Sequence, residues 1–144
     1  MVPVEDFVLG EFTTALAPAE LLVRVEVPAM PAASRAAYRA FGHLERPAAG
    51  VAALAVPEGR AFRWRLWAGA LSGRPVRLNA LEAALEGRPA ADALVTLDQA
   101  SQAAVEHLEA SDDLHGSAEY KRHLAAVLAS RAVRACLGAK EIEA

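Results

Sequence analysis

Asp112-Asp113-Leu114-His115-Gly116-Ser117-Ala118-Glu119-Tyr120-Lys121-Arg122-His123-Leu124 joins a turn to the start of a helix. Gly116 breaks what precedes it, Ser117 can accept a backbone N–H bond as N-cap, and Glu119 sets negative charge at the positive end of the helix dipole. Asp112 and Asp113 are adjacent in a turn, where N-terminal capping is their natural work. Beyond the cap, Tyr120, Leu124, Val127, Leu128 and Arg131 recur at three- and four-residue spacing, then Ala135, so a helix runs toward the C-terminus. Two more helices are expected upstream. Leu78, Leu81, Ala84 and Leu85 mark a short one that Gly87-Arg88-Pro89 ends. Leu94, Leu97, Ala100, Ala104, Val105 and Leu108 give a stripe within Ala90 to Glu109.

The first half of the chain changes period. From Leu21 to Val27, Val23, Val25 and Val27 alternate with Leu22, Arg24 and Glu26, the signature of a half-buried strand. Ala37 to Gly42 and the fully apolar Val51 to Val56 are further strand candidates. A fourth, Ala61 to Ala68, sets Phe62, Trp64 and Leu66 against Arg63, Arg65 and Trp67. Pro57-Glu58-Gly59 reads as the turn between the last two. Strands first and helices after give an α+β fold: an antiparallel sheet of three or four strands followed by about three helices packed on one face.

At 144 residues the chain suits a single domain spanning 1–144, which on folding hides roughly 70% of its unfolded surface. Hydrophobic residues make up 54%, which argues against disorder. A net charge of -3 gives no global attraction to nucleic acid or to an anionic membrane. No run approaches the roughly 18 apolar residues of a membrane span, and Met1 to Gly10 lacks a signal peptide's basic and apolar regions, so a cytoplasmic location is expected. Cys136 is the lone cysteine, which excludes an internal disulfide or a multi-cysteine metal site, an iron–sulfur cluster included.

Sites of chemistry are sparse. His107, His115 and His123 are spaced eight apart, but Gly116 interrupts the helix that would align them, and neither they nor His43 sit in a zinc-like pairing. Ser72 lies in Leu-Ser-Gly, not in a nucleophile elbow. Arg60, Arg63, Arg65, Arg74 and Arg77 gather beside Trp64 and Trp67, a pattern that can contact phosphates or stacked bases; pairing of these arginines with nearby glutamates on a solvated strand face is the simpler reading. Trp67 falls on the arginine side, where it marks a protein contact or packs under a helix. No catalytic, cofactor-binding or metal-binding residue is assigned.

The string from Gly116 to Leu124 resembles the opening of the last helix in the C-terminal domain of the flavin-binding medium subunit of molybdenum hydroxylases, whose namesake is the carbon monoxide dehydrogenase flavoprotein. Three further segments resemble that domain in the same order. They are Asp6-Phe7-Val8-Leu9-Gly10 with Thr14 to Leu22 and the strand Val23 to Pro28; Tyr38-Arg39-Ala40-Phe41-Gly42 leading into Val51 to Val56; and Gly69 to Arg77 followed by Leu81 to Pro89. The chain departs from the family in the loop after the second strand. Ala40 stands where a Lys is usual, His43-Leu44-Glu45 replaces a basic run, and Ala48-Ala49-Gly50 replaces Asp-Ile-Ala. In the family that loop nears the flavin ring, so no flavin-contacting residue is carried over. The nine glycines are scattered, with no phosphate-cradling string, and the chain reads as beginning at the family's second domain.

The resemblance implies a structural and interaction module with no catalysis alone, within an assembly holding FAD, a molybdenum cofactor and iron–sulfur clusters. Its partners would be a separate FAD-binding domain and the molybdenum and iron–sulfur subunits. The alternative is an independent homo-oligomer, a homodimer for example, that binds a small ligand outside any redox complex.

Overall fold

The computed structural model describes residues 1–43 and 46–139. A single turn of helix, α1 (Val4–Phe7), leads into a small hairpin of β1 (Val8–Gly10) and β2 (Thr13–Thr14). The main sheet is a meander in the order β3 (Arg35–Gly42), β4 (Pro47–Glu58), β5 (Ala61–Gly69) and β6 (Val76–Arg77), antiparallel throughout. Three helices follow: α2 (Asn79–Leu85), α3 (Ala90–Val105) and α4 (Ala118–Leu137). The architecture is α+β with a four-stranded sheet, as the change of period predicts.

The β4–β5 register ends at Glu58↔Ala61, so the turn is Gly59-Arg60 and Gly59 takes the left-handed φ of 65° that such a tight connection needs. Pro57 lies inside β4. Pairing with β3 stops at Ala55, so the missing N–H breaks no ladder bond on that side.

One face of the sheet carries the core. Val51, Ala53 and Ala55 on β4 stand opposite Ala68, Leu66 and Trp64 on β5, all buried. Helix α4 covers this face, and α3 and α2 extend the layer through Leu97, Val105, Leu81 and Leu85. The α4 surface that meets the sheet is mainly alanine: Ala125, Ala129 and Ala132 are fully buried beside Leu128, Val133 and Cys136. Small side chains on helix and sheet alike let the two backbones approach closely, which explains why a helix of weak hydrophobic periodicity packs at all. Tyr120 of the expected stripe is exposed instead, and Val127 and Arg131 are only half-buried.

The α4 start is built as its sequence suggests. Tyr120 N–H donates to Ser117 Oγ at 3.2 Å, and Ala118 N–H donates to Asp112 Oδ1 at 2.6 Å. Gly116 adopts a φ of 144°, and a Cβ there would press within 2.7 Å of the Tyr120 ring. Ser117→Ala is expected to cost about 1 kcal/mol, with Asp112 retaining part of the cap; a melt of the variant checks it. At the far end Gly138, with a φ of 70°, closes the helix through bonds to Ala135 O and Arg134 O.

One sequence expectation is overturned. Leu21 to Val27 pairs with nothing among the described residues, and every residue from Glu11 to Ala33 is exposed. Strand period alone cannot make a strand, because an extended segment needs a neighbour for its peptide groups. The fourth strand is β6, a two-residue element too short to carry a period. The departures expected in a loop at Ala40 to Gly50 also change character. Ala40 lies in β3, and Ala48, Ala49 and Gly50 lie buried in β4, so these positions belong to the sheet and not to a loop. Leu44 and Glu45 fall outside the described residues.

Candidate interaction site: the open sheet face and its rim

The face of the sheet opposite the helices is open. Cross-strand register places Tyr38, Ala52, Trp67 and Arg77 in one row across all four strands, with Ala36, Leu54 and Arg65 in the next. Directly opposed residues share a face, so this surface combines two aromatic rings, small residues and arginines. Gly50 is the seat of Tyr38. A Cβ at position 50 would collide with the Tyr38 hydroxyl and lie 3.1 Å from its Cζ, so only glycine lets this ring lie flat across β4.

At one edge the row opens into a cleft of about 600 Å³ between α1–β1 and the β5–β6 connection, walled by Val4, Asp6, Val8, Trp67, Arg74 and Arg77. Trp67 is half-buried here, neither under a helix nor fully exposed. The arginines beside it are largely engaged. Arg63 Nε lies 3.4 Å from Glu58, and Arg65 lies 3.8 Å from Glu82. Arg77 makes a bidentate pair with Glu82, with Nε at 2.9 Å from Oε1 and NH2 at 2.7 Å from Oε2. This is the glutamate pairing that the strand's arginines suggest.

Glu82 is the residue that sequence reading missed. It sits on α2 among the apolar positions, is 6% exposed, and accepts the Leu66 N–H at 2.8 Å. Strand β6 is too short to satisfy that amide, so the carboxylate ends the sheet edge in its place and anchors Arg77 at the cleft. The signal lies in the sequence: Glu82 falls within the Leu78, Leu81, Leu85 face, where a charge needs a partner.

Lys121 was missed for the same reason. It falls on the buried face of α4, is 1% exposed, and its Nζ reaches Asp113 Oδ2 at 2.6 Å. Asp113 also accepts the His115 N–H at 2.8 Å, so the aspartate pair divides its labour: Asp112 caps the helix and Asp113 pins the lysine. The Lys121 bond, then the His115 amide, hold the Asp113 carboxyl below its usual pKa. Between α3 and α4, Ser130 Oγ donates to Asp98 at 2.5 Å and Arg134 NH2 donates at 2.9 Å; the serine bond foremost lowers the Asp98 pKa. Both carboxylates are depressed when folded. Their stabilisation is therefore complete above the ordinary carboxylate value of 3.8, starts to fall once the unfolded chain takes up protons below it, and is lost as pH falls through the lower folded values. Urea midpoints measured from pH 6 to pH 2 are expected to drop in that window, and Asp98→Asn combined with Asp113→Asn is expected to flatten the drop.

The other candidates do not converge. His43, His107 and His123 are exposed and His115 is half-exposed; among the described residues no group of three or more His, Cys, Asp or Glu is placed to hold a metal. Ser72 sits in the bend before β6. Cys136 is buried with its thiol 3.6 Å from Arg35 O and 3.7 Å from Ala53 O, and burial pushes its pKa up, which makes it an inert thiol. The α3 N-terminus is headed by Pro89 with Asp92 in the first turn, and the α4 N-terminus is already filled by Ser117 and the Asp112 carboxylate. No helix of the described residues is long and apolar enough to cross a membrane.

The sequence matches the family described as CO dehydrogenase flavoprotein C-terminal domain over residues 36–136, from the first residues of the main sheet to the end of α4. The chain belongs to that family. The fold of this CO dehydrogenase flavoprotein C-terminal domain is shared with solved structures. One is the carbon monoxide dehydrogenase from Hydrogenophaga pseudoflava which lacks the Mo-pyranopterin moiety of the molybdenum cofactor. It is 30% identical with a TM-score of 0.83, and the match covers 95% of this chain and 48% of that one. Another is quinoline 2-oxidoreductase from Pseudomonas putida 86, 26% identical with a TM-score of 0.80, covering 92% of this chain and 46% of that one. The domain thus spans about half the length of the solved chains it matches. No curated protein matches it in sequence.

Proposed function

We propose that this chain is a structural and interaction module of a molybdenum hydroxylase of the carbon monoxide or xanthine dehydrogenase type. It packs as one domain beside an FAD-binding polypeptide and carries no catalysis of its own. The observation behind this reading is the open sheet face: helices cover one side, while the other presents exposed Tyr38 and Ala52 beside half-buried Trp67. FAD, the molybdenum cofactor and the iron–sulfur clusters would reside on the partners, in the cytoplasm.

The test is co-expression with an FAD-binding polypeptide and with molybdenum and iron–sulfur subunits. Co-purification of a yellow complex is expected, with the chain alone colourless after desalting in FAD. Trp67→Ala is expected to weaken retention at least tenfold. Recovery of no partner sinks the reading.

The Trp67 cleft favours a second reading, an independent homo-oligomer that binds a small ligand there. Sedimentation of the isolated chain separates the two: a monomer supports the module, a stable dimer the oligomer.

A further inference from the structure

The outer groove between α3 and α4 carries more hydrogen-bond donors than its own acceptors use. It forms a cleft of about 220 Å³ in which Asp98 and Gln102, one turn apart on α3, face Ser130, Arg131 and Arg134 of α4, with Ala126 and Val127 as the apolar wall. Ser130 is buried, and its hydroxyl is engaged twice: it donates to Asp98 Oδ1 at 2.5 Å and accepts from Arg134 Nε at 3.3 Å. Arg134 NH2 closes on both oxygens of Asp98, at 3.0 and 2.9 Å. The cleft's single carboxylate is thus held by one of its two arginines. Arg131 is left over. Its side chain is half-buried and, among the described residues, makes no hydrogen bond or ion pair; the Gln102 amide beside it makes none either.

A cation half out of water, with no anion of its own, completes itself with one from outside. We infer that the α3–α4 cleft is a binding site for a short-chain monocarboxylate, held by the Arg131 guanidinium and the Gln102 amide with its alkyl end against Ala126 and Val127. The guanidinium fork matches a carboxylate in two parallel bonds. The charge also matches. Two arginines and one aspartate leave the cleft a net single positive charge, and the bonds from Ser130 and Arg134 keep Asp98 ionised by lowering its pKa. A dianion would meet the Asp98 carboxylate without a second free cation to offset it. The size sets the same limit, since this cleft is smaller than those that hold drug-sized ligands. The site lies in the helical layer, away from the open sheet face, and stands apart from the proposed function.

The probe is propionate, titrated into the whole chain at constant ionic strength while the Arg131 Nε–H and Gln102 side-chain amide signals are followed by NMR. Saturation on the order of a few millimolar is expected for so small a ligand. Arg131→Gln is expected to weaken it about tenfold, Arg131→Lys to restore part of the loss, and Arg74→Gln, which removes an exposed arginine elsewhere, to change nothing. Arg131 bonds to no other described residue, so its variants should melt as the wild type does, which separates a lost ligand from a lost fold. Propionamide, of the same shape without the charge, should not bind. Shifts that never saturate, or that are equal at Arg74 and Arg131, overturn the site. Tighter binding of inorganic phosphate than of propionate overturns the ligand class. Tighter binding of N-acetyl-aspartate-N-methylamide than of propionate assigns the site to an acidic side chain of another polypeptide and overturns the free acid named here.

Discussion

Trp64→Ala is expected to lower the stability of the chain by about 4 kcal/mol. Trp64 is fully buried at the centre of β5, with Ala55 opposite it on β4 and the Phe62 ring 5.9 Å away, tilted by 53°. Large-to-small substitutions cost the transfer energy of the lost atoms and an added amount set by how little the surroundings relax into the void. Here relaxation is poor, because the helix that covers this face presents alanines, which have no rotamers with which to fill a gap. The loss belongs near the top of the usual range. Trp64→Phe should cost far less, about 1–2 kcal/mol, for a reason beyond volume: the indole Nε1 has no hydrogen-bond partner, so removing it relieves an unsatisfied buried donor. Urea unfolding of the three proteins measures both values. A loss below about 2 kcal/mol for the alanine variant would show that the sheet and helices close over the site, against the rigid alanine packing described here.

The same alanines explain what the sequence discloses and what it hides. The α4 start is legible because its devices are local: a glycine that must take a left-handed φ, a serine that caps, an aspartate within reach. Strands β4 and β5 are legible because Trp64, Leu66 and Val51 are large and alternate. The buried face of α4 is not, since alanine tolerates both water and core, so the conspicuous Tyr120, Val127 and Arg131 draw a stripe displaced from the true one through Ala125, Ala129 and Ala132. Strand β6 is invisible because two residues have no period, and its role at the sheet edge passes to Glu82, a side chain from another element. Leu21 to Val27 errs the other way, with a strand-like period and no strand beside it among the described residues. Local preference proposes and long-range pairing disposes, which is why the open face and the unpaired segment became apparent only when the register was known.

Glu82→Ala is expected to cost about 3 kcal/mol, most of it from one amide. Three groups converge on this carboxylate, the Leu66 N–H and Arg77 as hydrogen-bond donors and Arg65 as an ion pair at 3.8 Å, and they respond differently to its loss. Arg65 and Arg77 are partly exposed, so their guanidinium groups turn to water at small cost. The Leu66 N–H cannot. It sits on a buried strand, next to a β6 too short to reach it, and without Glu82 it has no acceptor. Glu82→Gln separates these contributions: the amide oxygen still accepts from Leu66 while the ion pair is gone, so about 1 kcal/mol is expected. Arg77→Ala is expected to cost measurably in the wild type and close to nothing once Glu82 is alanine, and that coupling, read from a double-mutant cycle in urea, isolates the pair from the backbone bond. Amide exchange gives the local readout. At Leu66 it should accelerate in Glu82→Ala and stay slow in Glu82→Gln and Arg77→Ala. If all three variants exchange alike there, Glu82 acts only as a counter-ion for the arginines of the cleft and not as the acceptor that finishes the sheet.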